Sequence, residues 1–290
     1  MRRLPTAEQA KWGRTGGRLA LGWLAVLRLL WEVGKRSFRR ATTYRLATAS
    51  GAFVNTVFGY IRAAVLIYVA TENGGSVRGL TGQDLATFAF LSQSFIAIVG
   101  AFNVAELADR IGSGDIEVDL YRPVDLQLWE LANWLGRSVF QVAARGIPPM
   151  ILGALTFDFR WPDPIWHWPV FAMAMATATV IGFAVRFCSN LLAFWLIDTR
   201  GVEQMVTIAV TFFAGLIIPI NPFPPWLEPV ARALPFASMI QLPVEIWLGL
   251  HQGWGLVWVL AQQLLWAAAI LALGRMMLGS ATRRLVVQGG

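Results

Sequence analysis

Long apolar stretches dominate this chain, and polar residues are confined to the segments between them. Six stretches, Ala47–Ala70, Leu85–Ala108, Leu135–Phe157, Trp168–Ile197, Val202–Pro219 and Trp254–Met277, meet or approach the ~20 residues that ~30 Å of hydrocarbon requires. The pattern predicts an all-α polytopic membrane protein with six transmembrane helices. The fourth stretch is long enough to protrude, and the fifth is short and ends at a proline. Ahead of them, Trp23, Leu27, Leu30, Trp31, Gly34 and Phe38 recur at helical spacing, with Arg28, Glu32, Lys35, Arg36, Arg39 and Arg40 on the other side. Residues 21–45 therefore read as an amphipathic helix lying in the headgroup plane of an anionic leaflet. A short seventh span is the alternative, and Arg28 argues against it.

The segments between spans differ in character. Residues 1–20 are basic and aperiodic and are expected to form a cytoplasmic tail. They lack the apolar core of a cleavable signal peptide, so the first span is expected to act as its own signal. Thr71–Asp84 is Gly-rich and reads as flexible. Asp158–His167 carries Trp161 and Trp166 and reads as an interface anchor. Residues 219–253 are too apolar for a solvated loop and are broken repeatedly by proline. Two short helical stretches, Trp226–Leu234 and Leu242–Leu250, remain between the breaks. Such a hairpin fits a re-entrant element that dips into the membrane from outside; a surface loop capped by aromatics is the alternative. Residues 46–290 thus form one six-span domain.

Composition sharpens this reading. Hydrophobic residues make up 56% of the chain and charged ones 14%, against about 25% charged in soluble domains; mean hydropathy is +0.55. With the N-terminus inside, 18 of the 24 Lys and Arg fall on the cytoplasmic side, which predicts cytoplasmic termini. The net charge of +7 is then a topology and lipid-surface signal. No basic stripe interleaved with exposed aromatics suggests nucleic acid.

Familiar catalytic patterns do not occur. Neither Lys11 nor Lys35 sits in a P-loop, so no ATP site of that kind is expected. His167 and His251 lie far apart in sequence and read as interfacial polar residues, so no metal site is expected. Cys188 reads as a small packing residue. No nucleophile-elbow motif occurs, and the chain is not expected to be an enzyme.

Three arginines, Arg62, Arg145 and Arg186, fall inside predicted spans, where charge costs several kcal/mol without a partner or a wet cavity. No Asp or Glu lies in a span core, and Glu106 and Asn103 are the nearest candidates to pair with them. The arginines pair structurally, line a pathway together with Asn103, or, for Arg145, snorkel to the inner interface.

The segment between the second and third spans, residues 109–137, is acidic amid basic surroundings. Gly112, Ser113 and Gly114 end a helix, Pro123 blocks its continuation, and Asp125 is placed to cap a new one. A solvated loop is the plain reading; a short docking helix for a cytoplasmic partner is the functional one.

The stretch IGSGDIEVDLYRPVDLQLWELANWLGR (residues 111–137) resembles the hallmark that follows the second span in a family of bacterial ATP-binding-cassette exporter permeases, the six-span class with a viologen-exporter subgroup. Its pattern is SGE…LLRPV(D/N)…A…GR. FPPWLEPVARALPFASMIQLPVEIWLG (residues 223–249) and WLAVLRLLWEVGKRSFRRATTYRLA (residues 23–47) are similar to that family too, and the resemblance covers residues 23–285. It implies a permease in the bacterial plasma membrane that exports an amphiphilic small molecule, natural product or lipid-like substrate. Two cytoplasmic ATPase subunits, binding ATP and magnesium, and a second permease, identical or paralogous, are the implied partners, with membrane lipid around them. The coupling element would comprise Arg110, Ser113, Gly114, Asp115, Glu117, Asp119, Leu120, Arg122, Pro123, Asp125 and Glu130. The outer gate would comprise Pro224, Trp226, Pro235, Phe236 and Pro243. An ion-coupled secondary transporter, or a membrane anchor or receptor without transport, are the alternatives. The first lacks the membrane carboxylates and paired broken helices such carriers use.

Overall fold

The computed structural model describes residues 23–97, 99–100, 106–122 and 124–288. The basic tail of residues 1–20, Asn103 and Pro123 lie outside the described residues. The described chain is almost entirely helical. In order it forms α1 (Trp23–Ala41), α2 (Arg45–Glu72), a two-residue hairpin of β1 (Ser76–Val77) and β2 (Leu80–Thr81), α3 (Gly82–Phe95), α4 (Glu106–Ser113) and α5 (Ile116–Leu120). Then come α6 (Leu126–Gln141), α7 (Ile147–Thr156), α8 (His167–Leu191), α9 (Arg200–Phe213), α10 (Leu227–Ala233), α11 (Gln241–Trp247) and α12 (Gly253–Gln288).

Four helical runs are long and apolar enough to cross a bilayer: Arg45–Glu72, Leu126–Thr156, His167–Phe194 and Gly253–Arg283. These match the first, third, fourth and sixth predicted spans. The other two predicted spans are shorter than the hydropathy suggests. α3 and α9 have 14 residues each, about 21 Å at 1.5 Å per residue. The apolar run Leu85–Ala108 does not continue as one helix. The chain turns after Phe95 and passes Gly100 at φ 71°, where the Arg186 Nε donates to the Gly100 carbonyl at 2.8 Å. In the same way α9 stops at Phe213, and Gln241 takes over. Its backbone N–H donates to Ala214 O and its Oε1 accepts from Ile220 N. In both places a polar group from elsewhere satisfies backbone that a longer helix would have paired internally.

α3 is the central column, with every residue from Asp84 to Phe95 buried. It starts in a capping box between Thr81 and Asp84, and Arg160 fixes that start by pairing with Asp84 at 2.8 Å. α2 and α7 pack around it; α8 and α12 pack against each other alongside. The Gly-rich segment after α2 is structured as the β1–β2 hairpin, turning through Arg78 and Gly79 at positive φ.

α1 lies along α6. Gly34 and Gly136 let the backbones meet; a Cβ on Gly136 would fall 2.0 Å from the Gly34 carbonyl oxygen. Ser37 donates to Asn133 O at 2.8 Å, and Phe38 meets Phe140 edge to face. The predicted apolar stripe of α1 is therefore divided. Gly34 and Phe38 pack on α6, while Leu27 and Trp31 are exposed, as is Leu24 beside them.

The two ends of the bundle are built differently. The β-hairpin, the start of α8, α10 and α11 gather at one end. α4, α5, the starts of α6 and α9, and the ends of α8 and α12 gather at the other.

Candidate functional site

A cavity of about 1050 Å³ opens at the α5 end between α1, the start of α2, α4, α6 and α8. It is lined by six arginines, Arg36, Arg40, Arg110, Arg137, Arg145 and Arg186, against three carboxylates, Glu106, Asp109 and Glu130. Trp134, Arg137, Gln141 and Arg145 all line it. They stand at i, i+3, i+7 and i+11, so α6 and its continuation turn one face to the space. Across from them Phe183, Arg186, Phe187 and Asn190 repeat the pattern on α8.

Arg145 owes its place to a local irregularity. Pro148 and Pro149 carry no N–H, so the carbonyls of Ala144 and Arg145 have no α-helical donor. The chain answers with a π-helical turn over Val142–Gly146, in which Ile147 N–H reaches back to Val142 O. The Asn55 side chain approaches the Arg145 carbonyl at 3.5 Å. Such turns often mark functional positions in helices. The guanidinium lies flat on α2 at Gly51, where a Cβ would sit 1.6 Å from an Arg145 Nη. No carboxylate pairs with Arg145 among the described residues, and its Nε is buried without a hydrogen-bond partner.

Arg186 is held instead. It pairs with Glu203 at 2.8 Å, donates to Thr207 Oγ1 at 2.9 Å and fixes the Gly100 carbonyl. Asn190, one turn on, reaches Glu203 at 3.3 Å and caps the Ala108 N–H at 2.9 Å. The carboxylate for Arg186 is thus Glu203 in the first turn of α9, a residue the sequence reading passed over. Glu106, named there as a candidate, approaches Arg137 at 3.9 Å. Arg62 stands away from the cavity. It donates to Ser92 Oγ at 2.7 Å and Ile217 O at 3.2 Å, tying α2 to α3 and to the segment that follows α9.

The acidic segment divides into a buried half and an exposed half. Arg110 bonds Asp119 and meets Glu130 at 2.6 Å. Arg122 reaches Asp119 at 3.1 Å and stacks over Trp129. Burial lowers the Arg110 pKa, but the hydrogen bond and charge of Glu130, with Asp119 and Glu106, outweigh it and hold the guanidinium above its usual value. Asp125 caps α6 through Leu128 N at 3.0 Å, as predicted, and also pairs with Arg275 on α12. These residues are the frame, so Asp119, expected on a docking face, is instead internal. Leu120 packs half-buried against the core, and Ser113 with Gly114 ends α4 at φ 85°. What projects is Asp115, Glu117, Val118 and Tyr121, the last two 66% and 88% exposed.

At the opposite end Arg232, Glu228, Glu245 and His251 partner one another. Arg232 on α10 forks onto Glu245 at 2.8 and 3.0 Å and meets Glu228 at 3.0 Å. His251 Nε2 lies 2.7 Å from Glu245, and Gln241 donates to it at 2.8 Å. Burial alone would raise the Glu245 pKa; hydrogen bonds from His251, Arg232 and Gln241 and the Arg232 charge bring it down to about 2. α11 is buried throughout. Of the named gate residues, Pro243 lies inside α11, and Phe236 stacks on Phe213. Pro224 and Pro235 start turns with their carbonyls, and Trp226 is exposed. Both histidines prove more than interfacial: His167 is buried, and His251 belongs to this network.

A family model described as ABC-2 family transporter protein matches residues 58–289, which takes in α3 to α12 and most of α2. The chain belongs to this family. It is accordingly a multi-pass membrane protein of the ABC-2 permease type. Comparison with curated proteins and with solved structures finds no match.

The signal for the cavity was present in the sequence as the Trp134–Arg145 face, next to the Pro148–Pro149 pair. The Arg232–Glu245 pair left no such trace, because 13 residues and a helix break separate the two.

Proposed function

We propose that this chain is the transmembrane subunit of an ATP-binding-cassette exporter, working with two cytoplasmic ATPase subunits that bind ATP and magnesium and with a second permease, identical or paralogous. The family match over residues 58–289 carries the reading. In this account α3 and α9, with the turns that continue them, complete six crossings in a bacterial plasma membrane. Both termini and the α5 end face the cytoplasm. α1 rests on the inner leaflet through Leu24, Leu27 and Trp31. The α10–α11 hairpin enters the bilayer from outside as a gate.

The α5 knuckle suits coupling because its exposed residues sit on a stiff base. Glu117, Val118 and Tyr121 are free, while Asp119, Arg110, Glu130 and Arg122 lock the helix onto α6, and Asp125–Arg275 ties α6 to α12. A push on the knuckle therefore reaches two long helices. Hydrolysis would occur in the partner, and the cavity would receive the cargo. An ion-coupled carrier needs a carboxylate free to change protonation; Glu203 and Glu245 are both held by arginines.

The test is purification of the tagged full chain from its native membrane, with assay of the ATP hydrolysis that accompanies it. The wild type should carry ATPase activity, and Glu117→Lys with Tyr121→Asp should lose most of it while remaining folded. Activity unchanged in that variant, or none with the wild type, would count against the coupling assignment.

A further inference from the structure

The helical run Leu126–Thr156 holds 31 residues, about 46 Å at 1.5 Å per residue. It is interrupted at the π turn Val142–Gly146, between α6 and α7. The interruption weakens its backbone. Pro148 and Pro149 offer no N–H to the carbonyls of Ala144 and Arg145. The Asn55 amide approaches the Arg145 carbonyl only at 3.5 Å, longer than an ordinary hydrogen bond. Proline and π turns are where helices bend sharply.

The two halves of the run belong to different bodies. α7 is keyed to α2 and α3. The Phe90 ring of α3 fills the space beside Gly59 and Gly153, where a Cβ would fall 2.8 and 2.6 Å from it. The Tyr60 hydroxyl of α2 donates to Leu152 O at 3.2 Å. α6 instead carries α1 through the Gly34–Gly136 contact and the knuckle through Glu130, 2.6 Å from Arg110. Gln127 joins it to α12, donating to Leu271 O at 2.9 Å. Two other passages of the chain between these bodies also leave the helical form. One is the turn at 42–44 between α1 and α2, and the other is the departure from α3 after Phe95.

The joint has a fulcrum and room. Gly146 seats on α3, where a Cβ would fall 2.9 Å from the Ser94 carbonyl oxygen. Glu130, Asn133 and Arg137 stand on one face of α6, line the cavity of about 1050 Å³ and are part-exposed, so that flank of α6 borders open space. We propose that the π turn Val142–Gly146 is a hinge on which α6 swings, with α1 and the knuckle, against the body of α2, α3 and α7. The swing sets the width of the cavity between α6 and the start of α2. The proline pair keeps the joint from closing into plain α-helix. The inference rests on the exporter reading only for what drives the swing. The joint bends with or without an ATPase, so either claim can fail while the other stands.

Distances between paired spin labels on the purified full chain in detergent test this, in a Cys188→Ala background. Val65→Cys with Leu128→Cys, both exposed, spans the hinge; Val65→Cys with Ile151→Cys, also exposed, stays within one body. A bend of about 20° over the ~21 Å from Leu128 to the π turn moves the label by roughly 7 Å. The pair across the hinge should therefore give a distance distribution about 7 Å broader than the control pair, or two peaks that far apart. Pro148→Ala with Pro149→Ala restores both N–H donors. It should narrow the first pair to the width of the control and leave the control as it is. If the double variant does not fold, the two pairs compared in the chain with its prolines still decide. Equal widths for the two pairs, or a hinge-spanning pair as broad with the alanines as with the prolines, would overturn the proposal.

Discussion

Two half-buried arginines near opposite ends of this bundle, Arg232 and Arg145, are handled in opposite ways. At the hairpin end Arg232 is surrounded by Glu228 and Glu245, and Glu245 is in turn met by His251 and Gln241. At the α5 end Arg145 is placed with equal care, by a π turn, a proline pair and a glycine seat, yet it lacks a counter-charge among the described residues. A buried ion pair that satisfies its hydrogen bonds acts as a lock. The difference separates an arginine locked by carboxylates from one without a counter-charge among the described residues.

That contrast is most easily broken by removing one charge at each end. Glu245→Ala should cost about 3 kcal/mol, because it leaves Arg232 short of a partner in a site it cannot leave. In detergent this corresponds to a thermal midpoint lowered by roughly 6 °C. Arg145→Gln should change the midpoint by less than about 1 °C or raise it, since no pair is lost. Equal destabilisation by the two would erase the distinction between lock and site.

A smaller effect sharpens the comparison through pH. The Glu245 pKa is depressed from 4.5 to about 2, so the folded chain favours the ionised form. Its contribution is fully present above about 4.5 and is lost as the pH falls towards 2. The midpoint difference between wild type and Glu245→Gln should therefore narrow as the pH falls from about 4.5 towards 2. A difference that did not narrow below about pH 4.5 would contradict the assignment.

Much of the fold was legible because length and hydropathy decide a spanning helix, and the four long runs follow from them directly. The hairpin was legible through its prolines: the expected stretches Trp226–Leu234 and Leu242–Leu250 correspond to Leu227–Ala233 and Gln241–Trp247. The ends of α3 and α9 were not. Apolar residues continue past both, and the groups that stop the helices, Arg186 and Gln241, come from distant parts of the chain. Among the site residues, the intramembrane arginines stood out by their cost alone. Their separate roles did not, because Arg62, Arg145 and Arg186 differ only in what tertiary packing brings to them. The acidic segment misled in one respect. Charge suggests exposure, but Asp119 is buried because Arg110 and Arg122 both converge on it.

The account depends most on which side of the membrane the α5 end faces. Single cysteines introduced as Glu117→Cys on α5 and Asn73→Cys before the β-hairpin, each in a Cys188→Ala background, report this through a membrane-impermeant maleimide. The account predicts labelling of Asn73→Cys in intact cells and of Glu117→Cys only after permeabilisation. Labelling of Glu117→Cys in intact cells, with Asn73→Cys protected, would contradict it.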